Sequence, residues 1–97
     1  MGPVRAALEA SVRYLAHELG PRGIRVHALS PGPIKTRAAG GLKDFDLLLN
    51  EATRRAPVGE LVDIDDVGMT AAYLATPYAR RVTGGTVYVD AGLNIMA

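Results

Sequence analysis

The two histidines are the first side chains to consider for chemistry, because an imidazole can carry a proton or bind a metal near neutral pH. His17 lies near the carboxyl end of a predicted helix, where the helix dipole favours a cation. His27 lies in a predicted strand and has no second ligand at a metal-binding spacing. We therefore interpret His17 as a helix-end residue and His27 as a packed, hydrogen-bonded residue.

A cluster of carboxylates, Asp63, Asp65 and Asp66, could hold a hard metal ion. The alternative is that Asp63 caps a helix and that Asp66 takes the place of the capping-box glutamate three residues on. We favour capping and predict no metal site. Gly84-Gly85 could cradle a phosphate, but a strand and not a helix follows it, so we interpret the pair as a turn.

The segment from Ser30 to Thr36 is the strongest candidate for a ligand-binding loop. Two prolines and a glycine fix its backbone in a non-repeating path, just beyond the carboxyl end of a predicted strand. Open α/β sheets bind ligands at that edge, and the Thr36 hydroxyl can reach a phosphate or an amide. From the residues alone, a purely structural loop remains the alternative.

Helical and alternating apolar spacings predict the elements that must position this loop. Gly20-Pro21 is expected to supply a left-handed stop to the first helix, and Pro57 and Pro77 to end the other two. Asp90-Ala91-Gly92 ends the last strand. The predicted elements are a helix over about 3–19, a strand over 24–29, a helix over about 43–55, a helix following Asp63 and a strand over 86–89.

This order predicts an α/β fold with about three helices and two strands, which is an incomplete parallel sheet. Because a buried parallel sheet needs both faces covered and more strands beside it, we expect the 97 residues to form a single partial domain. Its apolar helix faces and strand edges should be open to a partner.

Composition excludes several other classes. The chain has 48% hydrophobic residues and a formal charge of +1 with the signs interspersed, so no basic surface for nucleic acid is predicted. It has no cysteine and no apolar run long enough to cross a bilayer, and the expected location is the cytoplasm.

Around the Ser30–Thr36 loop the chain resembles the carboxyl-terminal part of a short-chain dehydrogenase/reductase, and specifically the NADH-dependent enoyl-acyl-carrier-protein reductases of bacterial fatty-acid synthesis. The resemblance covers nearly all of the chain. The stretches that carry it are Leu8 to Tyr14, Gly20 to Val26, Gly32 to Thr36, Ala38-Ala39, Lys43-Asp44-Phe45, Asp66-Val67-Gly68 and Val89 to Gly92.

The resemblance implies a Rossmann-type doubly wound sheet and binding of NAD(H) and of an enoyl thioester on acyl carrier protein. Backbone groups of Ile34 would hold the nicotinamide carboxamide, with Pro33 beside them, and Thr36 would lie near the pyrophosphate. Arg5 takes the position of the family's ribose-binding lysine. The substrate pocket would be lined by Ala38, Ala39, Leu42 and Phe45, and Lys43 would face the carrier protein.

The same resemblance places the family's catalytic tyrosine three residues before Met1 and its glycine-rich phosphate loop further upstream. It therefore implies no catalytic residue within these 97 residues and no activity of the chain alone. One alternative is a non-catalytic module that forms a homo-oligomer or associates with a full-length reductase. Another is a piece of a different short-chain dehydrogenase/reductase, against which Lys43-Asp44-Phe45 argues.

Overall fold

The structure, a computed structural model, describes residues 2–34 and 44–96. Within these ranges the chain forms three α-helices and two strands, as predicted. No helix there is both long and apolar enough to span a bilayer. The elements are α1 (Gly2–Leu19), β1 (Ala28–Pro31), α2 (Phe45–Arg55), α3 (Ile64–Ala75) and β2 (Thr86–Val89), with short 3-10 helices at Gly20–Arg22, Pro77–Ala79 and Leu93–Ile95.

The first helix, α1, has the predicted extent but buries only part of its apolar face. Val12 and Ala16 are buried, whereas Val4 is 66% and Leu8 58% exposed. Since only apolar area removed from water stabilises the fold, the burial that holds α1 is concentrated at Val12 and Ala16.

The end of α1 differs from the prediction of a left-handed residue at Gly20. Instead, the helix tightens into a 3-10 turn over Gly20–Arg22, and Gly23 takes the left-handed conformation at φ 76°. The Gly23 N–H donates to the Gly20 carbonyl over 2.9 Å, and the Ile24 N–H donates to Leu19 over 3.3 Å. Gly23 suits this position because glycine adopts a positive φ without steric cost.

The strands β1 and β2 pair in a two-stranded sheet. The Ala28 N–H donates to the Gly85 carbonyl over 3.1 Å, and the Gly32 N–H donates to the Val89 carbonyl over 3.0 Å. In both hydrogen bonds the acceptor lies the same number of residues after the donor. A constant separation along both strands means that they run parallel. The prediction of β2 over 86–89 is confirmed.

The predicted bounds of the first strand, 24–29, are wrong, because β1 begins only at Ala28 and ends at Pro31. It therefore includes Ser30 and Pro31, the first two residues of the predicted loop. Ahead of it, the Val26 backbone is engaged by a turn: its N–H donates to the Thr83 hydroxyl over 3.0 Å, and its carbonyl accepts from the Gly84 N–H over 2.8 Å. A side chain and a turn thus replace the strand ladder at this position.

The two later helices begin and end where local signals place them. Asp44 precedes α2, and α2 ends at an extended Ala56 because Pro57 follows. At the start of α3 the Asp63 N–H donates to Asp66 Oδ2 over 2.9 Å, and the Asp66 N–H donates to Asp63 Oδ1 over 3.0 Å. This reciprocal pair is the predicted capping box.

The chain forms two compact units. The first takes in the chain up to Leu29 together with residues 71–87, and the second takes in residues 30–70 and the chain from Tyr88 onward. Val12, Ala16, Leu74 and Ala79 are the buried apolar residues described in the first unit. In the second unit the buried residues are Ala56 and Asp90, so a carboxylate lies in its small core.

Candidate functional site

The candidate loop leaves β1 through a close backbone contact within the second unit. A Cβ atom on Gly32 would lie 3.0 Å from both the Cα and the Cβ of Asp90, so only glycine fits without movement. The Gly32 N–H also donates to the Val89 carbonyl over 3.0 Å. The loop is therefore fixed at Gly32, immediately ahead of Pro33.

Asp90 is only 8% exposed, and its carboxylate organises the turn that follows β2. Its Oδ1 accepts from the Gly92 N–H over 3.0 Å, and its Oδ2 accepts from the Asn94 N–H over 2.9 Å. The Asn94 amide also donates to Oδ1 over 3.2 Å. The sequence predicts a strand end at Asp90, and an aspartate two residues before a glycine is also a common turn signal.

The same turn contacts the segment that follows α2. Gly92 has φ 92°, and a Cβ there would lie 2.9 Å from Pro57 Cγ. The Val58 N–H donates to the Ala91 carbonyl over 3.1 Å. The end of β2, the start of the loop and the end of α2 are thus joined at one place.

Two cavities open beside this loop. The first, here called the loop cavity, measures about 490 Å³. Within the described ranges, the backbone N–H and carbonyl of Ile34 have no hydrogen-bond partner. The loop cavity is lined by Pro33, Ile34, Leu49, Leu61, Val62, Asp63, Ile64 and Asp65.

The second, here called the apolar cavity, measures about 600 Å³ and shares Pro33 with the loop cavity. Phe45 and Leu48 come from the first turn of α2, and Glu51 pairs with Arg54 on the same helix. The lining residues are Pro33, Phe45, Leu48, Glu51, Ala52, Arg55, Leu93 and Met96. Most of this wall can contact a hydrocarbon chain.

The structure brings together only some of the predicted site residues. Pro33, Ile34 and Phe45 line neighbouring cavities of the second unit. Arg5 lies on α1 in the first unit, where its Nε forms an ion pair with Glu9 Oε1 over 3.8 Å. The remaining predicted residues, Thr36, Ala38, Ala39, Leu42 and Lys43, lie outside the described residues.

The structural interpretations of Asp63, Asp66, Gly84 and His17 are confirmed. Asp63 and Asp66 cap α3, and Gly84 forms the predicted turn at φ 84°. In residues 2–34 and 44–96, no three His, Cys, Asp or Glu side chains are grouped to hold a metal ion. His17 lies in the last turn of α1.

The prediction that His27 is hydrogen-bonded is wrong for the described part of the chain. Both ring nitrogens are buried and have no partner there. His27 lines a cavity of about 460 Å³ with Arg25, Leu29 and Leu74, among others. The Arg25 Nη1 donates to the carbonyls of Leu74 and Ala79.

The alternation of helices and parallel strands defines an α/β protein of the Rossmann type. A family model described as enoyl-(acyl carrier protein) reductase matches residues 1–94. The chain belongs to the enoyl-acyl-carrier-protein reductase family, as its sequence predicted.

Two curated relatives and a solved structure illustrate the similarity. The NADH-dependent enoyl-acyl-carrier-protein reductase of Bacillus cereus is 48% identical over 96 residues, which are 99% of this chain and 38% of the relative. The NADPH-dependent enzyme of Staphylococcus aureus is 48% identical over 94 residues, 97% of this chain and 37% of the relative. The crystal structure of the Bacillus cereus reductase with NADP+ and indole naphthyridinone has a TM-score of 0.89 at 47% identity and covers 100% of this chain and 38% of that one. The chain thus spans less than two-fifths of the length of these relatives.

Proposed function

We propose that this chain supplies part of an enoyl-acyl-carrier-protein reductase, with the nicotinamide end of NAD(H) at the Pro33–Ile34 backbone and the acyl chain in the apolar cavity. The observation that carries the proposal is that Pro33 lines both cavities. Pro33 therefore lies between a wall that includes the Ile34 backbone, which has no partner among the described residues, and a wall that is mostly apolar. A hydride donor and a hydrophobic acceptor need such neighbouring surfaces.

The cofactor side rests on Ile34. Its unpartnered N–H and carbonyl, counted over the described residues, match the acceptor and donor of a nicotinamide carboxamide. By resemblance, Thr36 lies near the pyrophosphate and Arg5 takes the place of the ribose-binding lysine. When bound, reduced nicotinamide would supply a hydride to the C=C bond of the enoyl thioester, and a proton from solvent would complete the reduction.

The substrate side rests on Phe45. It lies at the start of α2, where it lines the apolar cavity together with Leu48 and Met96. A thioester-linked acyl chain gains free energy by removing methylene groups from water, at about 0.8 kcal/mol per buried CH2. By resemblance, Ala38, Ala39 and Leu42 complete this pocket and Lys43 faces the acyl carrier protein.

The resemblance puts the hydrogen-bond-donating tyrosine before Met1, so we propose that the 97 residues alone do not turn over substrate. The test is a chimera in which this chain replaces the matching segment of the Bacillus cereus reductase. We expect NADH-dependent reduction of crotonyl thioester by the chimera and none by the isolated chain. Turnover by the isolated chain, or an inactive chimera that folds and binds NADH, contradicts the proposal.

Two variants of the chimera test the assigned roles. Ile34→Pro removes the backbone donor, and we expect it to raise KM for NADH roughly tenfold or more, with Ile34→Val as the matched control. Phe45→Ala should raise KM for a dodecenoyl thioester more than KM for the crotonyl thioester. An unchanged KM for NADH in the proline variant would remove Ile34 from the cofactor site.

The second candidate function is association, as a homo-oligomer or with a full-length reductase. The apolar side chains of Val4, Leu8 and Leu15 lie exposed at helical spacing on α1. Burying such a stripe against another helix is favourable. Sedimentation of the purified chain tests this: Leu8→Glu should dissociate the assembly, whereas Arg13→Glu on the same helix should not. A monomer at all concentrations, with no co-purification of an intact reductase, excludes this function.

A further inference from the structure

Asp90 is assigned no contact with the cofactor and does not line the apolar cavity. It is nevertheless the charged residue that is buried among the described residues. We propose that Asp90 is a positioning residue: by fixing the turn after β2, it holds both the Pro33–Ile34 backbone and the Leu93–Met96 wall of the apolar cavity. What those two walls bind rests on the proposed function, whereas the positioning itself does not.

The first step links the carboxylate to the conformation of its turn. A buried carboxylate is costly unless it is hydrogen-bonded. All three of its described bonds come from the turn itself, through the Gly92 N–H, the Asn94 N–H and the Asn94 side-chain amide. These donors converge only while Ala91 and Gly92 keep their positive φ angles of 58° and 92°. The charge therefore selects this one turn conformation.

The second step links the turn to the loop. The Cα of Gly32 faces the Cα and Cβ of Asp90 so closely that an added methyl group would meet both at 3.0 Å. The Gly32 N–H also donates to the carbonyl of Val89, the residue before Asp90, over 3.0 Å, so a shift of the Asp90 backbone is passed on to Gly32. Because the ring of Pro33 restricts its φ, the displacement passes on to Ile34 with little local relief.

The third step links the turn to the cavity wall. The Leu93 N–H donates to the Asp90 carbonyl over 3.1 Å, and the Met96 N–H donates to the Leu93 carbonyl over 3.0 Å. Both side chains line the apolar cavity opposite residues of α2. One buried carboxylate thus determines the placement of the loop on one side and of Leu93 and Met96 on the other.

The test is Asp90→Asn in the whole 97-residue chain, observed by amide and methyl NMR. Asparagine keeps the size of the side chain but has one acceptor oxygen instead of two. We expect the Ile34 amide and the Met96 methyl signals to shift together, with roughly tenfold faster hydrogen exchange at Asn94. The matched control is Val12→Ala, a core substitution in the first unit, compared at equal folded fraction. If the Asp90→Asn signals stay at the positions seen in the control, the proposal is wrong.

A second variant keeps the test decisive if Asp90→Asn does not fold. Asn94→Ala removes only the amide donor, which lies on an exposed residue. If Asp90→Asn folds, we expect Asn94→Ala to shift the Ile34 and Met96 signals in the same directions by smaller amounts. If Asp90→Asn is unfolded, we expect Asn94→Ala to shift the signals at both sites. Shifts confined to residues 90–94 would overturn the positioning role.

An NADH titration of the same samples separates this proposal from the proposed function. If the unmodified chain binds NADH, Asp90→Asn should weaken binding roughly tenfold while Val12→Ala leaves it unchanged. Equal affinities for Asp90→Asn and the control overturn the positioning role. If the unmodified chain binds no NADH, cofactor binding by these residues alone fails, and the NMR shifts still decide the role of Asp90.

Discussion

Gly32 and Asp90 approach each other closely: a Cβ on Gly32 would lie 3.0 Å from both the Cα and the Cβ of Asp90, so a side chain there requires a shift of its neighbour. These residues belong to two stretches that carry the family resemblance, the loop after β1 and the ending of β2. Their contact gives a physical reason for glycine in the first stretch, because φ at Gly32 is not positive and the close approach disfavours a Cβ.

Gly32→Ala should therefore destabilise the chain by about 1–3 kcal/mol, since the added methyl group meets backbone that cannot rotate away. The measurement is the midpoint of urea unfolding. Gly85→Ala is the matched control, because an added Cβ there meets nothing within 4 Å and its φ is not positive. Equal midpoints for the two variants would show that the Gly32 contact relaxes without cost.

Features with local causes could be predicted from the sequence. The start of α3 follows from two aspartates three residues apart, Asp63 and Asp66, and the end of α2 follows from Pro57. The strand β2 follows from a short alternating run between Gly84-Gly85 and Asp90. In each case the stabilising groups lie within a few residues of the element.

Features that depend on distant residues could not be predicted in the same way. The strand β1 starts late because Thr83 and Gly84 engage the backbone of Val26, more than fifty residues before them in the chain. The contact of Asp90 with Gly32 has the same character. Local patterns carry no information about such pairs, so the joining of the loop to the turn emerged only from the structure.

The capping box of α3 should show coupling between its two aspartates. Asp63→Ala should lower stability by about 1 kcal/mol and Asp66→Ala by about half as much. Because each side chain bonds the backbone of the other, the double variant should cost less than the sum. Thermal unfolding of the four proteins measures this, with Asp65→Ala as the control for loss of charge at the helix start. Strict additivity would mean that the reciprocal bonds contribute little.

Two other glycines should respond to alanine with opposite signs. Gly68 lies inside α3, where an added Cβ meets nothing within 4 Å, so Gly68→Ala should stabilise by up to about 1 kcal/mol through helix propensity. Gly92 has φ 92°, and a Cβ there meets Pro57 at 2.9 Å. Gly92→Ala should therefore destabilise by at least about 1 kcal/mol. Urea midpoints measure both changes, and a stable Gly92→Ala chain would show that this turn can rearrange.

Removal of the polar side chain of His27 is expected to stabilise the protein. Both of its ring nitrogens are buried without a partner among the described residues, and such groups cost about 1–3 kcal/mol. Leucine has a similar volume and suits a wall that already contains Leu29 and Leu74. His27→Leu should raise the free energy of unfolding by about 1 kcal/mol.

The control for this variant is His17→Leu, because His17 is exposed in the last turn of α1 and has no buried nitrogen to relieve. Its free energy of unfolding should not rise. Urea unfolding compares both variants with the unmodified chain. A destabilised His27→Leu protein would mean that the imidazole makes a favourable interaction with a group outside the described residues.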